Sequence, residues 1–176
     1  MNENIIIDGY NLIRQSGPLL LHENRDLESG RNKLIDMLYN YKRSKSLKIA
    51  VVFDGWDSGR LSQQSYMEKG IRVIFSKTGQ KADDVIKKIA RESGKELIIV
   101  TSDNDIKDFA NKTGNVVISS PEFFEKMEMA KYFNMKGMDD ADEDSYGDSK
   151  ISTQKKGNPK KLPKSERKRN RKMKKL

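Results

Sequence analysis

Three aspartates of this chain end apolar runs, and their carboxylates are the side chains best suited to hold a hard metal cation. Asp8 ends "IIID", Asp54 ends "VVFD" and Asp103 ends "IIVTSD". If these runs are parallel strands of one sheet, their carboxyl ends lie along the same edge and the three side chains meet there. Carboxylate and water oxygens are the ligands that Mg²⁺ and Mn²⁺ prefer in proteins. The pattern therefore predicts a divalent-metal site at that edge.

Further acids are predicted to face the same edge. Asp83 and Asp84, in "ADD", begin a predicted helix after the third strand, and Asp105 follows Asp103 by two residues. Carboxylates this close repel one another and raise one another's pKa unless a cation joins them. Two such ions about 4 Å apart can activate water and stabilise the leaving oxygen of a phosphodiester. We therefore predict Mg²⁺ or Mn²⁺ as the cofactor and phosphodiester cleavage as the reaction.

Most of these acids also have a purely structural interpretation. Asp83 and Asp84 are favoured at a helix start by the macrodipole and by capping, Asp103 could be an N-cap, and Asp54 could belong to a turn. Only for Asp8 does the sequence suggest no structural role. Independent capping would scatter acids over both edges of the sheet, whereas here they are predicted on one edge.

Apolar strands that alternate with helical patterns predict the scaffold for these acids. The predicted strands span residues 4–8, 48–55, 71–76, 96–103 and 115–119, and the predicted helices span 27–43, 82–93, 104–113 and 121–133. The polar stretch from Arg60 to Lys69 has helical potential. Near-continuous apolar strands are typical of a parallel sheet covered on both faces. With right-handed crossovers, the expected α/β architecture is a doubly wound, Rossmann-like sandwich with five mainly parallel strands.

The net charge of +9 is concentrated near the end of the chain. Residues 150–176 contain 13 Lys and Arg against one Glu, whereas residues 139–149 contain six acids and no base. Neither segment has a core-forming periodicity, so we predict a domain of residues 1–138, an acidic linker of 139–149 and a disordered basic tail of 150–176. The tail has no aromatic residue, so we expect it to bind phosphates by charge alone.

The composition excludes several classes of site. The chain has no cysteine and a single histidine, His22, which rules out disulfides, thiolate metal sites and His-rich zinc sites and leaves little room for a Ser-His-Asp triad. No segment approaches the roughly 20 apolar residues needed to span a bilayer. The N-terminus lacks the features of a signal peptide. We therefore expect a cytoplasmic protein that does not bind membranes.

Four motifs together resemble a known family. "IIIDGYNLI", "VVFDG", "KADDVI" and "VTSDND", in this order, resemble the NYN nuclease domain, specifically the YacP-like branch of the PIN-like ribonucleases. The resemblance covers residues 4–130 and does not include the segment "RQSGPLLLHENRDLESG" or the basic tail. It implies a three-layer PIN/NYN-like sandwich and a divalent-metal-dependent endoribonuclease. It also implies a role in messenger RNA decay in association with the ribosome, which the basic tail would contact.

The resemblance implies roles for individual residues. The catalytic set would be Asp8, Asn11, Asp83, Asp84, Asp103 and Asp105. Within it, the metal ligands would be Asp8, Asp83, Asp103 and Asp105. Hydrolysis would leave a 5′-phosphate and a 3′-hydroxyl. Residues that could lie near the substrate phosphate or RNA backbone are Asp54, Lys77, Lys81, Thr101 and Ser102, although the two lysines would also suit a solvated loop.

Other functions fit parts of the same pattern. A haloacid-dehalogenase-like phosphatase also uses an aspartate at a strand end, but it needs a second aspartate two residues later, where this chain has Tyr10. A receiver domain needs an acidic pair that "NENIIID" does not convincingly supply. An RNA- or ribosome-binding adaptor with the same fold and no cleavage is the non-enzymatic alternative. The full set of acids argues against it, because an inactive site has little reason to keep carboxylates that repel one another.

Overall fold

The computed structural model describes residues 3–43, 45–55, 62–94, 96–139 and 164–173. The strands are β1 (Ile5–Asp8), β2 (Ile49–Phe53), β3 (Gln64–Glu68), β4 (Ile71–Phe75), β5 (Ile98–Val100) and β6 (Val116–Ile118). The helices are α1 (Gly9–Arg14), α2 (Gly17–Glu23), α3 (Leu27–Arg43), α4 (Ala82–Glu92), α5 (Asn104–Lys112), α6 (Ser120–Asp139) and α7 (Lys164–Met173). Within these ranges, no helix is long and apolar enough to cross a membrane.

The six strands form one sheet with β1 near its centre. The strand order is β3-β4-β2-β1-β5-β6, and every neighbouring pair is parallel except β3 with β4. The chain builds outward from β1 to β2 and then returns to place β5 on the other side of β1. A ligand crevice is expected where the strand order reverses in this way, at the carboxyl ends of β1 and β5.

Alternate residues of the strands pack against helices on opposite faces of the sheet. Ile5 and Ile7 belong to one buried apolar cluster with side chains of α1, α2, α3 and α6. Ile6 belongs to the other cluster, with side chains of α4 and α5. Because both faces are covered, β1 and β2 are fully buried, which explains their uninterrupted aliphatic sequences. The predicted three-layer α/β sandwich is confirmed.

The sheet has six strands, whereas the sequence predicts five. Gln64–Glu68, within the stretch assigned helical potential, is an antiparallel edge strand, β3, that pairs with β4. Most of its residues are exposed, so it lacks the apolar alternation that marks a strand. The turn that joins it to β4 consists of Lys69 and Gly70, both with positive φ, as expected of a two-residue type I′ hairpin connection.

Two short helices occupy the region after β1 for which the sequence predicts no element. Helix α1 begins directly after Asp8, and α2 begins at Gly17 with Pro18 in its first turn, a position that proline favours. Leu12, Ile13 and Leu19 are buried against the sheet face that also carries α3. Through Leu19, the segment outside the family resemblance therefore contributes to the core.

Within the tail predicted to be disordered, residues 164–173 form a helix, α7, beside β6. Lys168 donates to the carbonyl of Gly114 and pairs with Glu96 at 3.3 Å, and Arg169 donates to both carboxylate oxygens of Glu122. Charged contacts, not apolar ones, hold this helix, so apolar periodicity does not reveal it. The acidic linker lies outside the described residues except for Asp139, the last residue of α6.

A close backbone contact fixes α1 against the sheet. A Cβ atom added to Gly9 would lie 2.3 Å from Cε1 of Phe53, far inside van der Waals contact. We expect Gly9→Ala to lower the free energy of unfolding by roughly 1–3 kcal/mol, because the Phe53 ring or α1 must shift. Urea unfolding followed by circular dichroism measures the change.

Gly17→Ala is the matched control, because no atom lies within 4 Å of a Cβ at that helical position. This substitution should leave stability unchanged or raise it by up to about 1 kcal/mol. Equal effects of the two substitutions would contradict the close contact between Gly9 and Phe53.

Candidate active site

The structure brings four predicted acids together at the carboxyl edge of the sheet. Asp8 ends β1, Asp54 follows β2, Asp103 follows β5, and Asp83 lies in the first turn of α4. Burial raises the pKa of both Asp8 and Asp83, and neighbouring charges raise each further: those of Asp83 and Asp54 for Asp8, and those of Asp103 and Asp54 for Asp83. These four residues are called the acid cluster below.

Asp8 is the buried member of the acid cluster, with only 7% of its surface exposed. Its Oδ1 accepts a hydrogen bond from the backbone N–H of Asn11 at 3.2 Å, and its Oδ2 accepts one from the hydroxyl of Thr101 at 3.2 Å. Burial raises its pKa to about 6, with the charges of Asp83 and Asp54 adding to the effect of burial. Asp8 is also the N-cap of α1, a structural role that the sequence did not suggest.

Asp103 and Asp54 each cap a helix from the same edge. Oδ1 of Asp103 accepts from the N–H groups of Asp105 and Ile106, at 2.8 and 3.1 Å, and begins α5. Oδ1 of Asp54 accepts from the N–H of Ala82 at 2.6 Å and so ties the end of β2 to the first residue of α4. These hydrogen bonds use only Oδ1 of each carboxylate, so Oδ2 can serve another ligand.

Thr101 connects two members of the acid cluster by hydrogen bonds. Its side chain is fully buried, its hydroxyl donates to Asp8, and its Oγ1 accepts from the backbone N–H of Asp103 at 3.1 Å. The hydroxyl of Thr101 thus bridges two members of the acid cluster, and its contact with a substrate phosphate stays a prediction.

Asn11 joins three segments beneath the acid cluster. Its Oδ1 accepts from the backbone N–H of Ser102 at 2.9 Å and from the hydroxyl of Ser120, the first residue of α6, at 2.7 Å. The Oγ of Ser102 in turn accepts from the backbone N–H of Ser120 at 3.2 Å. Because Oδ1 is engaged, the amide NH₂ of Asn11 is the group that can donate to a phosphate or water oxygen. Ser120 was not predicted from the sequence, since it belongs to none of the motifs.

The structure does not bring Asp105 and Asp84 into the acid cluster. Asp105 is 77% exposed and forms an ion pair with Lys87 of α4, which lowers the pKa of Asp105. Asp84 is exposed on α4. Lys87, also missed from the sequence, lies four residues after Asp83 and therefore on the same side of the helix, where its charge partly offsets the cluster's repulsion.

Two lysines flank a turn just before α4. Lys77 and Gln80 close the turn through a backbone hydrogen bond of 3.0 Å, and Gly79 takes the positive φ of 81° that this turn requires. Lys77 and Lys81 are both exposed. The charge of Lys81 acts on Asp83, so this cation lies beside the acid cluster.

The acid cluster fits a hard cation only in part. Among the described residues, no three acidic or histidine side chains are placed to hold one ion, so the predicted four-carboxylate metal set is not preassembled. Mg²⁺ is commonly held by one or two carboxylates together with waters and substrate phosphates. Asp8 and Asp83, which interact electrostatically at the crevice, meet that requirement, with Asp103 and Asp54 beside them.

The raised pKa of Asp8 makes stability depend on pH. Because the folded chain binds this proton more tightly than the unfolded chain, the stabilisation is present below pH 3.8 and is lost as the pH rises towards about 6. Asp8→Asn removes the buried charge and retains an acceptor for Asn11. We expect it to raise the free energy of unfolding of the metal-free protein near neutral pH by about 2–3 kcal/mol.

Denaturant unfolding in EDTA between about pH 4 and 8 measures this effect, which should shrink at the acid end. Asp26→Asn is the control with the opposite sign, because hydrogen bonds from Ser29 lower the pKa of Asp26. Asp26 contributes stability above its unfolded pKa and loses it as the pH falls, so Asp26→Asn should destabilise at neutral pH. If Asp8→Asn instead lowers the free energy of unfolding at neutral pH, the buried charge of Asp8 does not destabilise the folded protein and the prediction is wrong.

Comparison with known structures agrees with this architecture. A crystal structure of a mutant of Rae1 (YacP) from Bacillus subtilis has a TM-score of 0.64 and 23% identity, covering 77% of this chain and 81% of that chain. A second crystal structure of Rae1 (YacP) from Bacillus subtilis has a TM-score of 0.62 and 23% identity, covering 80% and 81%. This likeness is one of fold. No curated protein matches the chain.

The family model extends further along the chain than the motifs do. The model described as YacP-like NYN domain matches residues 5–175. This range includes α2 and α7, which lie outside the motifs, as well as every member of the acid cluster. The chain belongs to the YacP-like NYN domain family and has its nuclease-type fold.

Proposed function

We propose that this protein is a divalent-metal-dependent endoribonuclease that hydrolyses RNA phosphodiester bonds. The observation that carries the proposal is the buried carboxylate of Asp8, on which the charges of Asp83 and Asp54 act, at the point where the strand order reverses. Family membership supports a nuclease, and the all-oxygen donor set supports Mg²⁺ or Mn²⁺.

Asp8 and Asp83 would hold the metal, with Asp103 in the adjacent position. A bound Mg²⁺ or Mn²⁺ would supply Lewis acidity towards the phosphodiester and activate water. Thr101 holds the carboxylate of Asp8 in place, and because Asn11 Oδ1 accepts two hydrogen bonds, its amide NH₂ group is the one that would donate to a phosphate or water oxygen. These side chains are therefore held in position before the substrate binds. Such preorganisation of polar groups is usually the largest contribution to lowering the activation free energy.

Exposed cations near the edge would bind the RNA backbone. Lys77 and Lys81 flank the turn beside the acid cluster. On α7, Lys168, Arg169 and Lys172 are engaged with the domain, so they are not part of a free basic arm. The other bases of residues 150–176 remain the proposed contact to RNA, and the proposed partners are messenger RNA and the ribosome.

Asp8→Asn should lower the rate of RNA cleavage by roughly 100-fold or more, because it removes a metal-binding charge at the reacting centre. The measurement is single-turnover cleavage of a single-stranded RNA in Mg²⁺ or Mn²⁺, with EDTA abolishing activity of the unmodified protein. Asp108→Asn, which removes an exposed acid of α5 outside the acid cluster, is the matched control and should cleave normally.

Undiminished cleavage by the Asp8→Asn variant would refute the assignment of Asp8. Metal-independent cleavage would refute the proposed cofactor. RNA binding without any cleavage by the unmodified protein would favour the adaptor alternative.

We expect Asp83 and Asp105 to contribute differently to cleavage, although both are predicted metal ligands. Asp83→Asn should lower cleavage by roughly 100-fold, whereas Asp105→Asn should lower it by less than about 10-fold, because Asp105 is paired with Lys87 outside the cluster. The same single-turnover assay compares the two variants. A larger loss for Asp105→Asn than for Asp83→Asn would mean that Asp105 leaves Lys87 and joins the metal site when substrate binds.

A further inference from the structure

A pocket of about 190 Å³ lies between the β3–β4 hairpin and the first turns of α3. Its aromatic residues come from the sheet and its polar residues from the helix. They are Phe53, Tyr66 and Phe75 on the sheet, and Glu28, Arg31 and Asn32 on α3. The volume is below the roughly 300–1,000 Å³ of pockets for drug-sized ligands, so it suits a single planar ring system.

The sheet side of this pocket is a row of aromatic rings. Tyr66 lies nearly parallel to Phe75, with 6.3 Å between ring centroids and an interplanar angle of 19°, and Phe75 stacks on Phe53 at 5.6 Å. Tyr66 is 46% exposed, whereas Phe53 and Phe75 are buried. Unpaired nucleic-acid bases stack on exposed aromatic rings, and Tyr66 is such a ring beside two buried ones.

The helix side of the pocket presents a fixed cation and two polar groups. Arg31 Nη1 donates to the hydroxyl of Tyr10 at 2.8 Å, and the guanidinium lies 5.5 Å from the centre of the Phe75 ring. A guanidinium held in this way keeps further N–H donors and a planar face for a base. Two exposed side chains lie at the rim of the pocket. The carboxylate of Glu28 can accept hydrogen bonds, and the amide of Asn32 can both donate and accept them.

The pocket lies at the same edge of the sheet as the acid cluster. Tyr10, which accepts from Arg31, follows Asp8 by two residues, and its ring meets the edge of Phe53 with centroids 5.1 Å apart. Phe53 and Phe75 end β2 and β4, on the same carboxyl edge as the acids. A strand of RNA whose phosphate lies at Asp8 can therefore place a nearby base in the pocket.

We propose that this pocket binds one unpaired base of the RNA substrate, which stacks on Tyr66 and hydrogen-bonds to Arg31 and the polar rim. The base so held positions the neighbouring phosphate at the acid cluster. This inference rests on the proposed function, because it takes RNA as the ligand.

The test measures RNA binding without cleavage. In the Asp8→Asn background, fluorescence anisotropy compares a short single-stranded RNA with the same RNA carrying one abasic residue at each position in turn. Tyr66→Leu keeps an apolar side chain on β3 and removes the aromatic face, and Tyr66→Phe keeps the face. Tyr39→Leu is the matched control, since Tyr39 is a comparably exposed tyrosine of α3 that does not line the pocket.

One abasic position should weaken binding roughly 10-fold, and Tyr66→Leu should weaken binding of the intact RNA by a similar factor. In the Tyr66→Leu variant, the penalty at that abasic position should disappear, because the two changes remove the same contact. Tyr66→Phe and Tyr39→Leu should behave as the background protein does. Unchanged denaturant midpoints establish that each variant is folded.

Three results would overturn the base pocket: no RNA binding, equal penalties at all abasic positions, or a Tyr66→Leu variant that binds intact RNA as tightly as the background protein. Metal-dependent cleavage by the unmodified protein is a separate readout. Cleavage together with binding that does not depend on Tyr66 overturns only the pocket. Base-dependent binding without cleavage overturns the proposed function and leaves the pocket in place.

Discussion

The buried negative charge of Asp8 is the constraint on which the carboxyl edge of the sheet depends. A carboxylate out of water is unfavourable, and here two neighbouring acids make it more so, which is why its pKa rises to about 6. The fold tolerates the charge because both oxygens accept hydrogen bonds, one from the backbone of Asn11 and one from Thr101. These hydrogen bonds only partly offset burial, so a proton or a cation at this position is favoured.

The same hydrogen bonds that hold the acids also build the scaffold. Asp8, Asp54 and Asp103 each accept from an N–H at the start of a helix, so each carboxylate is fixed at the sheet edge by the helix it stabilises. Thr101 then bridges Asp8 to the backbone of Asp103, which spans the boundary between β1 and β5. A helix-capping role for these acids therefore does not exclude a ligand-binding role. The capping hydrogen bonds are what hold the carboxylates in one crevice.

The main elements of the fold follow from local patterns. Uninterrupted aliphatic strands such as Ile5–Asp8 imply burial on both faces, and helices between them imply parallel pairing. Elements without such a pattern were missed: β3 is an exposed edge strand, and α7 is held by ionic and backbone contacts. Helices α1 and α2 were missed because they are only six and seven residues long, too short for a clear period.

The sequence by itself determined which strands are buried and that Asp8, Asp54 and Asp103 come where those strands end, because both are properties of neighbouring residues along the chain. Only the tertiary structure decided which acids meet. Asp83 faces Asp8, whereas Asp105 pairs with Lys87, although both are acids in the first turn of a helix. The physical reason is that the packing of α4 and α5 on the sheet sets the direction of each side chain, and that packing involves residues far apart in the sequence.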